Sequence, residues 1–340
     1  MQLMQTISAV FDVLTVGEPM ALFAAMEPGP LSAVAHYQRV TAGAELNVAT
    51  GLARLGLRVG YISRLGNDSF GRFLRDEMLR ESIDCRYVTT DEAHPTGFMM
   101  KTRSDDGSDP QVEYFRRGSA ASHLSLGDAP DVKAPARFAA RHLHLTGITP
   151  ALSAATRELV FTLARQAREA GASISFDPNL RPRLWPSQPE MVECLNALAA
   201  QCAGTVLPGL AEGRVLTGRD SAQGIADFYL ELGAQQVVVK LGAQGAYFAD
   251  RDGHQGTVAA AKVAHVVDTV GAGDGFAVGV ISGLLEGLSL QDAVARGNLI
   301  GARVVQFPGD SDGLPTRQQL SILANATANE QRNQAFSSGI

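Results

Sequence analysis

Residues Asp268-Thr-Val-Gly271-Ala-Gly273-Asp274-Gly275-Phe276 set a glycine-rich turn directly ahead of a helical periodicity. Phe276, Val280 and Leu284 recur at i, i+4 and i+8, with Ala277, Ile281 and Leu285 beside them, so a helix starts at the turn. The run Val263–Val267 leading into it reads as a strand. Small residues let the backbone N–H groups of Gly271, Ala272 and Gly273 approach an anion, and the helix dipole favours negative charge at that end. Asp274 then has two readings. It is a base standing beside a phosphoryl group during transfer, or it is the helix N-cap, a place aspartate fills well.

Outward from this turn the chain alternates strand and helix. Val13–Gly17, Arg58–Arg64, Leu143–Thr146, Ser173–Asp177, Thr205–Pro208 and Gln236–Leu241 read as strands. Ala44–Leu55, Phe70–Glu81, Ala154–Ala170, Met191–Ala200 and Ala222–Leu232 read as the helices between them. Two long helices follow near Gly273–Glu286 and Leu290–Arg303, and Thr316-x-x-Gln319 after Pro315 opens a last one. Such alternation implies a mostly parallel sheet covered by helices on both faces, a three-layer α/β/α sandwich. Segments 18–40 and 94–118 break the rhythm, being rich in β-branched, aromatic, Gly and Pro residues. They read either as insertions forming a small β-sheet lid or as ordinary surface hairpins. The polar stretch 326–340 lacks periodicity and reads as a frayed tail.

Composition removes several function classes. The 340 residues carry 29 Lys+Arg against 35 Asp+Glu, a net charge of −6, with no basic run, which argues against a nucleic-acid surface. Cys85, Cys194 and Cys202 are odd in number and unpaired in spacing, so neither a disulfide framework nor a cysteine zinc site is expected. No apolar stretch is long enough to span a membrane, and the first basic residue is Arg39, so a cytoplasmic enzyme is expected. None of the four lysines follows a glycine, which excludes a Walker A loop. No Gly-x-Gly-x-x-Gly dinucleotide fingerprint occurs. Gly309-Asp-Ser-Asp-Gly313 matches a nucleophile elbow by letter, but no histidine follows it. His142 and His144 alternate as strand residues do and read as structural.

Gly271-Ala-Gly-Asp274 opening a C-terminal helix resembles the signature of the ribokinase-like (PfkB) carbohydrate kinases. Ala42-Gly43-Ala-Glu-Leu-Asn47-Val-Ala49, followed by Gly51-Leu-Ala-Arg-Leu-Gly56, resembles that family's N-terminal signature. The two motifs stand in the right order, and the likeness spans roughly 11–325 as one kinase domain, with 18–40 and 94–118 where the family carries its lid. Tyr114-Phe-Arg116-Arg117-Gly-Ser-Ala-Ala-Ser122, His144-Leu-Thr-Gly-Ile-Thr-Pro150, Asp177-Pro-Asn-Leu-Arg181 and Lys240-Leu-Gly242 are similar to stretches of the 2-keto-3-deoxygluconate kinases.

The resemblance implies transfer of a phosphoryl group from ATP with Mg²⁺ to the C6 hydroxyl of 2-keto-3-deoxygluconate, or of a ketohexose such as fructose or tagatose. It implies Asp274 as base and Gly271, Ala272 and Gly273 as anion hole. Gly43, Asn47, Tyr114, Arg116, Arg181 and Asp310 would line the sugar site, and Lys240, Gly242, Gly245 and Asn298 the nucleotide site. Glu212 would act on the metal indirectly, and Asp268 would hold a monovalent cation such as K⁺. A homodimer or a multiple of dimers formed through the lid is implied as well. A sugar acid's carboxylate needs a buried positive partner, and Arg116 and Arg181 are the candidates. Three departures stand out. Ala42-Gly43 replaces two glycines, Phe98-Met99 replaces a lid aromatic, and Gly209-Leu-Ala-Glu212 lacks the asparagine of an Asn-x-x-Glu motif.

Overall fold

The computed structural model describes residues 11–103, 110–129 and 138–326. Its first seven strands are β1 (Phe11–Val16), β2 (Met20–Pro28), β3 (Tyr37–Ala42), β4 (Val59–Gly66), β5 (Asp84–Asp91), β6 (Phe98–Arg103) and β7 (Val112–Phe115). The rest are β8 (Ala140–Thr146), β9 (Ser173–Asp177), β10 (Thr205–Val206), β11 (Gln236–Lys240), β12 (Ala246–Asp250) and β13 (Gln255–Val258). The helices are α1 (Ala44–Arg54), α2 (Ser69–Arg80), α3 (Ala154–Glu169), α4 (Gln188–Cys202), α5 (Leu210–Thr217), α6 (Ala222–Leu232), α7 (Ala272–Leu285) and α8 (Leu290–Val304). A last helical stretch covers 317–326.

The main sheet runs β13-β12-β11-β10-β9-β8-β1-β4-β5. It is parallel from β11 to β5, and β12 and β13 add an antiparallel edge. Val237, Val238 and Val239 on β11 are fully buried because successive side chains enter opposite cores. Helices α3, α4 and α6 cover one face through residues such as Leu159, Leu195 and Ile225. Helices α1, α2, α7 and α8 cover the other through Leu52, Leu74, Ile281 and Ile300. The expected three layers are present. His142 and His144 lie buried on β8 against Ser173 and Ser175, and burial lowers both to a pKa of about 3, so both rings are neutral.

The two segments that break the rhythm meet in a second sheet, ordered β3-β2-β6-β7. It is mixed, with β2 parallel to β6 and the other two pairings antiparallel. The tail beyond residue 326 lies outside the described residues.

The expectation of a strand at Val263–Val267 is corrected. The stretch has no regular structure, and Val266 and Val267 are exposed. Its valines carry strand propensity, but the Val267 and Asp268 amides bond the Val305 carbonyl at the end of α8 instead of a ladder. Strands β5, β12 and β13 and helix α5 escaped the sequence reading. They are edge or short elements with partly exposed residues, so their periodicity is weak.

Helices α7 and α8 meet along a seam of small residues. Gly275, Gly279 and Gly283 face Val304, Gly297 and Ala293, so the two backbones approach closely. A Cβ on Gly279 would lie 2.5 Å from both Cα and N of Gly297. Gly279→Ala gains about 1 kcal/mol in helix propensity, whereas overpacking costs about 1–3 kcal/mol. Net destabilisation is expected, read as a lower urea midpoint at unchanged slope. A midpoint at or above wild type would show that the seam has room.

Candidate active site

The parallel strands deliver their carboxyl ends to one cavity of about 350 Å³. Asp177 closes β9 and Lys240 closes β11, and both line it. Gly43 and Asn47 enter from the start of α1, and Gly271, Gly273 and Asp274 from the start of α7. The small sheet supplies the opposing wall through Met20, Met99, Val112 and Tyr114. Two helix N-termini therefore point their unsatisfied amides and positive dipole ends at one space.

The N-cap of α7 is Gly271, at φ +82°. That backbone region suits glycine, and a Cβ here would also strike the Asp310 carbonyl oxygen. Asp274 is consequently the third helical residue, and the N-cap reading of it does not hold. Its Oδ2 accepts a 2.7 Å hydrogen bond from Asn47 Nδ2. Burial pushes Asp274 up to about pKa 7. The charges of Asp177 and Asp310 add to this, while the Asn47 bond and Lys240 oppose it. A carboxyl of that pKa changes charge near neutral pH, as a proton acceptor for a hydroxyl should.

Two lysines, Lys101 buried and Lys240 half-buried, balance the surrounding acids. Lys240 Nζ donates to Asp177 Oδ2 at 2.6 Å. Burial alone would lower Lys240, but Asp177 and Glu212 outweigh it and hold the ammonium charged. Lys101, on β6, donates to Asp268 Oδ2 at 2.7 Å and to Asp310 Oδ1 at 2.6 Å, with 3% of its side chain exposed. The sequence reading singled out neither Asp177 nor Lys101. Asp177 could have been noticed as the last residue of a buried strand. Lys101 carries no signal of its own, because a strand lysine normally reads as solvated.

Gly43, Asn47, Tyr114, Arg116, Arg181 and Asp310, all expected at the sugar, line this one cavity. Arg116 is buried against the Glu18 carboxylate, so its charge already has a partner. Arg181 donates to the Leu180 carbonyl at 2.9 Å and forms no ion pair among the described residues. Of the residues expected at the nucleotide, Lys240 lines the cavity, whereas Gly242, Gly245 and Asn298 lie outside its wall. Asn298 Nδ2 bonds the Val258 and Ala259 carbonyls at 3.0 Å, and Gly245 packs on the same segment. These two brace the end of β13. Glu212 lines the cavity, but its oxygens accept the Leu180 and Gly209 amides at 2.8 and 2.7 Å. It caps α5, whose N-cap is Gly209. Besides Asp274 and Asp310, the acidic residues on this wall are Asp177, already paired with Lys240, and the partly occupied Glu212.

Comparison with known proteins agrees with this geometry. The chain is 50% identical over 316 residues to the 2-dehydro-3-deoxygluconokinase of Bacillus subtilis (strain 168), covering 93% of this chain and 96% of the relative. The crystal structure of a PfkB protein from Polaromonas sp. JS666 shares 51% identity at a TM-score of 0.83, covering 92% of this chain and 99% of that one. A double mutant of the Vibrio cholerae O395 fructokinase, bound to fructose, ADP and potassium ion, matches at 27% identity and a TM-score of 0.79, covering 93% and 99%. Residues 10–317 match the family model described as pfkB family carbohydrate kinase. With its ribokinase-like fold, its two helix N-termini on one cavity and a match over nearly its whole length, the chain belongs to the pfkB family of carbohydrate kinases and is a phosphotransferase.

Proposed function

We propose that this kinase phosphorylates the C6 hydroxyl of 2-keto-3-deoxygluconate from ATP, with Asp274 as the general base. The observation that carries the reading is the Asp274 carboxyl, buried in the first turn of α7, bonded to Asn47 and raised to about pKa 7. The 50% identity to a 2-dehydro-3-deoxygluconokinase supports the choice of acceptor, and ADP in the Vibrio fructokinase supports the choice of donor.

The acceptor oxygen attacks the γ-phosphorus, its proton passes to Asp274, and the bond to the ADP oxygen breaks. Such transfer depends on positioning and on stabilising charge rather than on covalent chemistry. The amides of Gly271, Ala272 and Gly273 would face the charge that builds on the transferred group. Magnesium carried by ATP would lie toward Asp177 and Glu212 and would supply charge neutralisation. Asp177 and Glu212 give the wall acidic character, and Lys240 offers a positive contact for phosphate oxygens. Residues 11–325 would then act as one kinase domain, with 18–40 and 94–118 excluding water as the small sheet covers the acceptor. The outer strands β3 and β7, with Tyr114 and Phe115 exposed, suit pairing with a second copy. No described helix is long and apolar enough to cross a membrane, and we infer a cytoplasmic place of work.

The acid group of the acceptor needs a cation with no competing partner. Arg181 meets that condition better than Arg116, which already pairs with Glu18. A neutral ketohexose such as fructose or tagatose is the second reading, supported by the Vibrio fructokinase.

Asp274→Asn should lower turnover by about 10²–10⁴ while ATP still binds. Near-normal turnover would remove the base. In wild type, log kcat/KM should fall as pH drops below about 7, because only the ionised carboxylate accepts the proton. Asn47→Ala deletes the bond that favours the ionised form, so this limb should move to higher pH. A limb that stays in place or moves down contradicts the assignment. Arg181→Ala should lower kcat/KM for the keto acid by the equivalent of about 2–5 kcal/mol, and lower it less for fructose. A wild type that prefers fructose or tagatose, or a variant that loses all acceptors equally, would transfer the assignment to a ketohexose kinase.

A further inference from the structure

We propose that Lys101 takes the part of a monovalent cation in this kinase, its ammonium fixed between Asp268 and Asp310 so that the anion-binding turn is held without a free ion. The potassium-bound Vibrio fructokinase shows that such an ion occurs on this fold. The resemblance pointed to Asp268 as its holder here. The donors present do not fit that role. Asp268 Oδ1 accepts the Val270 amide at 3.0 Å, and Oδ2 accepts Lys101 Nζ at 2.7 Å. The same ammonium donates to Asp310 Oδ1 at 2.6 Å. An ion touching Asp268 Oδ2 would lie against a buried charge of its own sign, which has no solvent to retreat into.

The position of Lys101 in its strand makes the pairing informative. Met99 and Lys101 are both buried, one pleat apart on β6, so the lysine faces inward beside an apolar core residue. An ammonium at such a site is strongly unfavourable unless paired, and here it meets two carboxylates. Asp268 immediately precedes the turn, and the Asp310 backbone packs on Gly271 from the other side. One ammonium therefore ties the two chain segments that flank Gly271–Gly273, and it ties both to the small sheet. Lys101 is a positioning residue. It is absent from the cavity wall and acts through the turn.

Turnover is measured in potassium chloride and in tetramethylammonium chloride at equal ionic strength. Wild type is expected to differ less than about twofold between them. A loss above tenfold without potassium overturns the proposal. Lys101→Ala should lose about 10²-fold in kcat and regain at least about tenfold when potassium, ammonium or n-propylammonium is added. A merely structural lysine gives a folded variant that no cation rescues, and that result overturns the proposal, as does a variant with wild-type kcat. Thermal unfolding supplies a readout that needs no acceptor. Potassium should raise the melting temperature of Lys101→Ala above its value in tetramethylammonium, and should leave wild type unmoved. The unfolding readout stays decisive if the acceptor proves to be another sugar. If Lys101→Ala does not fold, the response of wild type to potassium decides alone.

Discussion

Buried carboxylates without enough counter-charge are the constraint around which this molecule is arranged. Asp177, Asp268, Asp274 and Asp310 crowd one end of the sheet, answered by the two ammonium groups of Lys101 and Lys240. Burying a carboxylate is costly unless it is paired or hydrogen-bonded, so each has a specific neighbour. Asp274 is the exception in kind. Its direct side-chain partner is the neutral amide of Asn47, and burial raises its proton affinity. The other three each meet an ammonium group at hydrogen-bond distance. A carboxyl of pKa about 7 is what base chemistry at neutral pH requires.

The same constraint explains how the small sheet is attached. Its core holds only a few buried apolar residues, including Met20, Leu22 and Met99. It is also linked to the main body by polar contacts, Lys101 to the turn region and Arg116 to Glu18. Ser119 adds a 2.5 Å hydrogen bond to the same glutamate. Ionic attachment of this sort depends on direction. It holds one placement of the sheet over the cavity more selectively than apolar packing would.

Much of this was legible in the chain. Periodicity gave the alternating strands and helices, and Gly271-Ala-Gly-Asp274 marked the helix start that holds the central carboxyl. Arg116 and Arg181 could be named as candidate acid binders, but not ranked. The ranking depends on Glu18, a residue with no pattern of its own, lying against one of them. Lys101 was invisible for a related reason. Its meaning comes from Asp268 and Asp310, 167 and 209 residues away. Val263–Val267 misled because β propensity shows only that a stretch would suit a sheet, not that a neighbouring strand is available. Gly242, Gly245 and Asn298, expected at the nucleotide, are absent from the cavity wall, and Gly245 and Asn298 meet at the end of β13 instead.

The hydrogen bond from Asn47 to Asp274 joins residues 227 positions apart. During synthesis, α1 leaves the ribosome long before its partner exists, and β1, an interior strand, waits for β8 on one side. Long-range closures of this kind form late, because chain entropy must be overcome before the contact rewards it. A growing chain therefore carries its N-terminal signature for most of its length without Asp274 beside it. The Asn47–Asp274 pair and the ammonium bridge to Asp310 are completed only by the last quarter of the chain. A chain that stops before residue 274 therefore lacks both closures, and its two ends of the cavity are never joined.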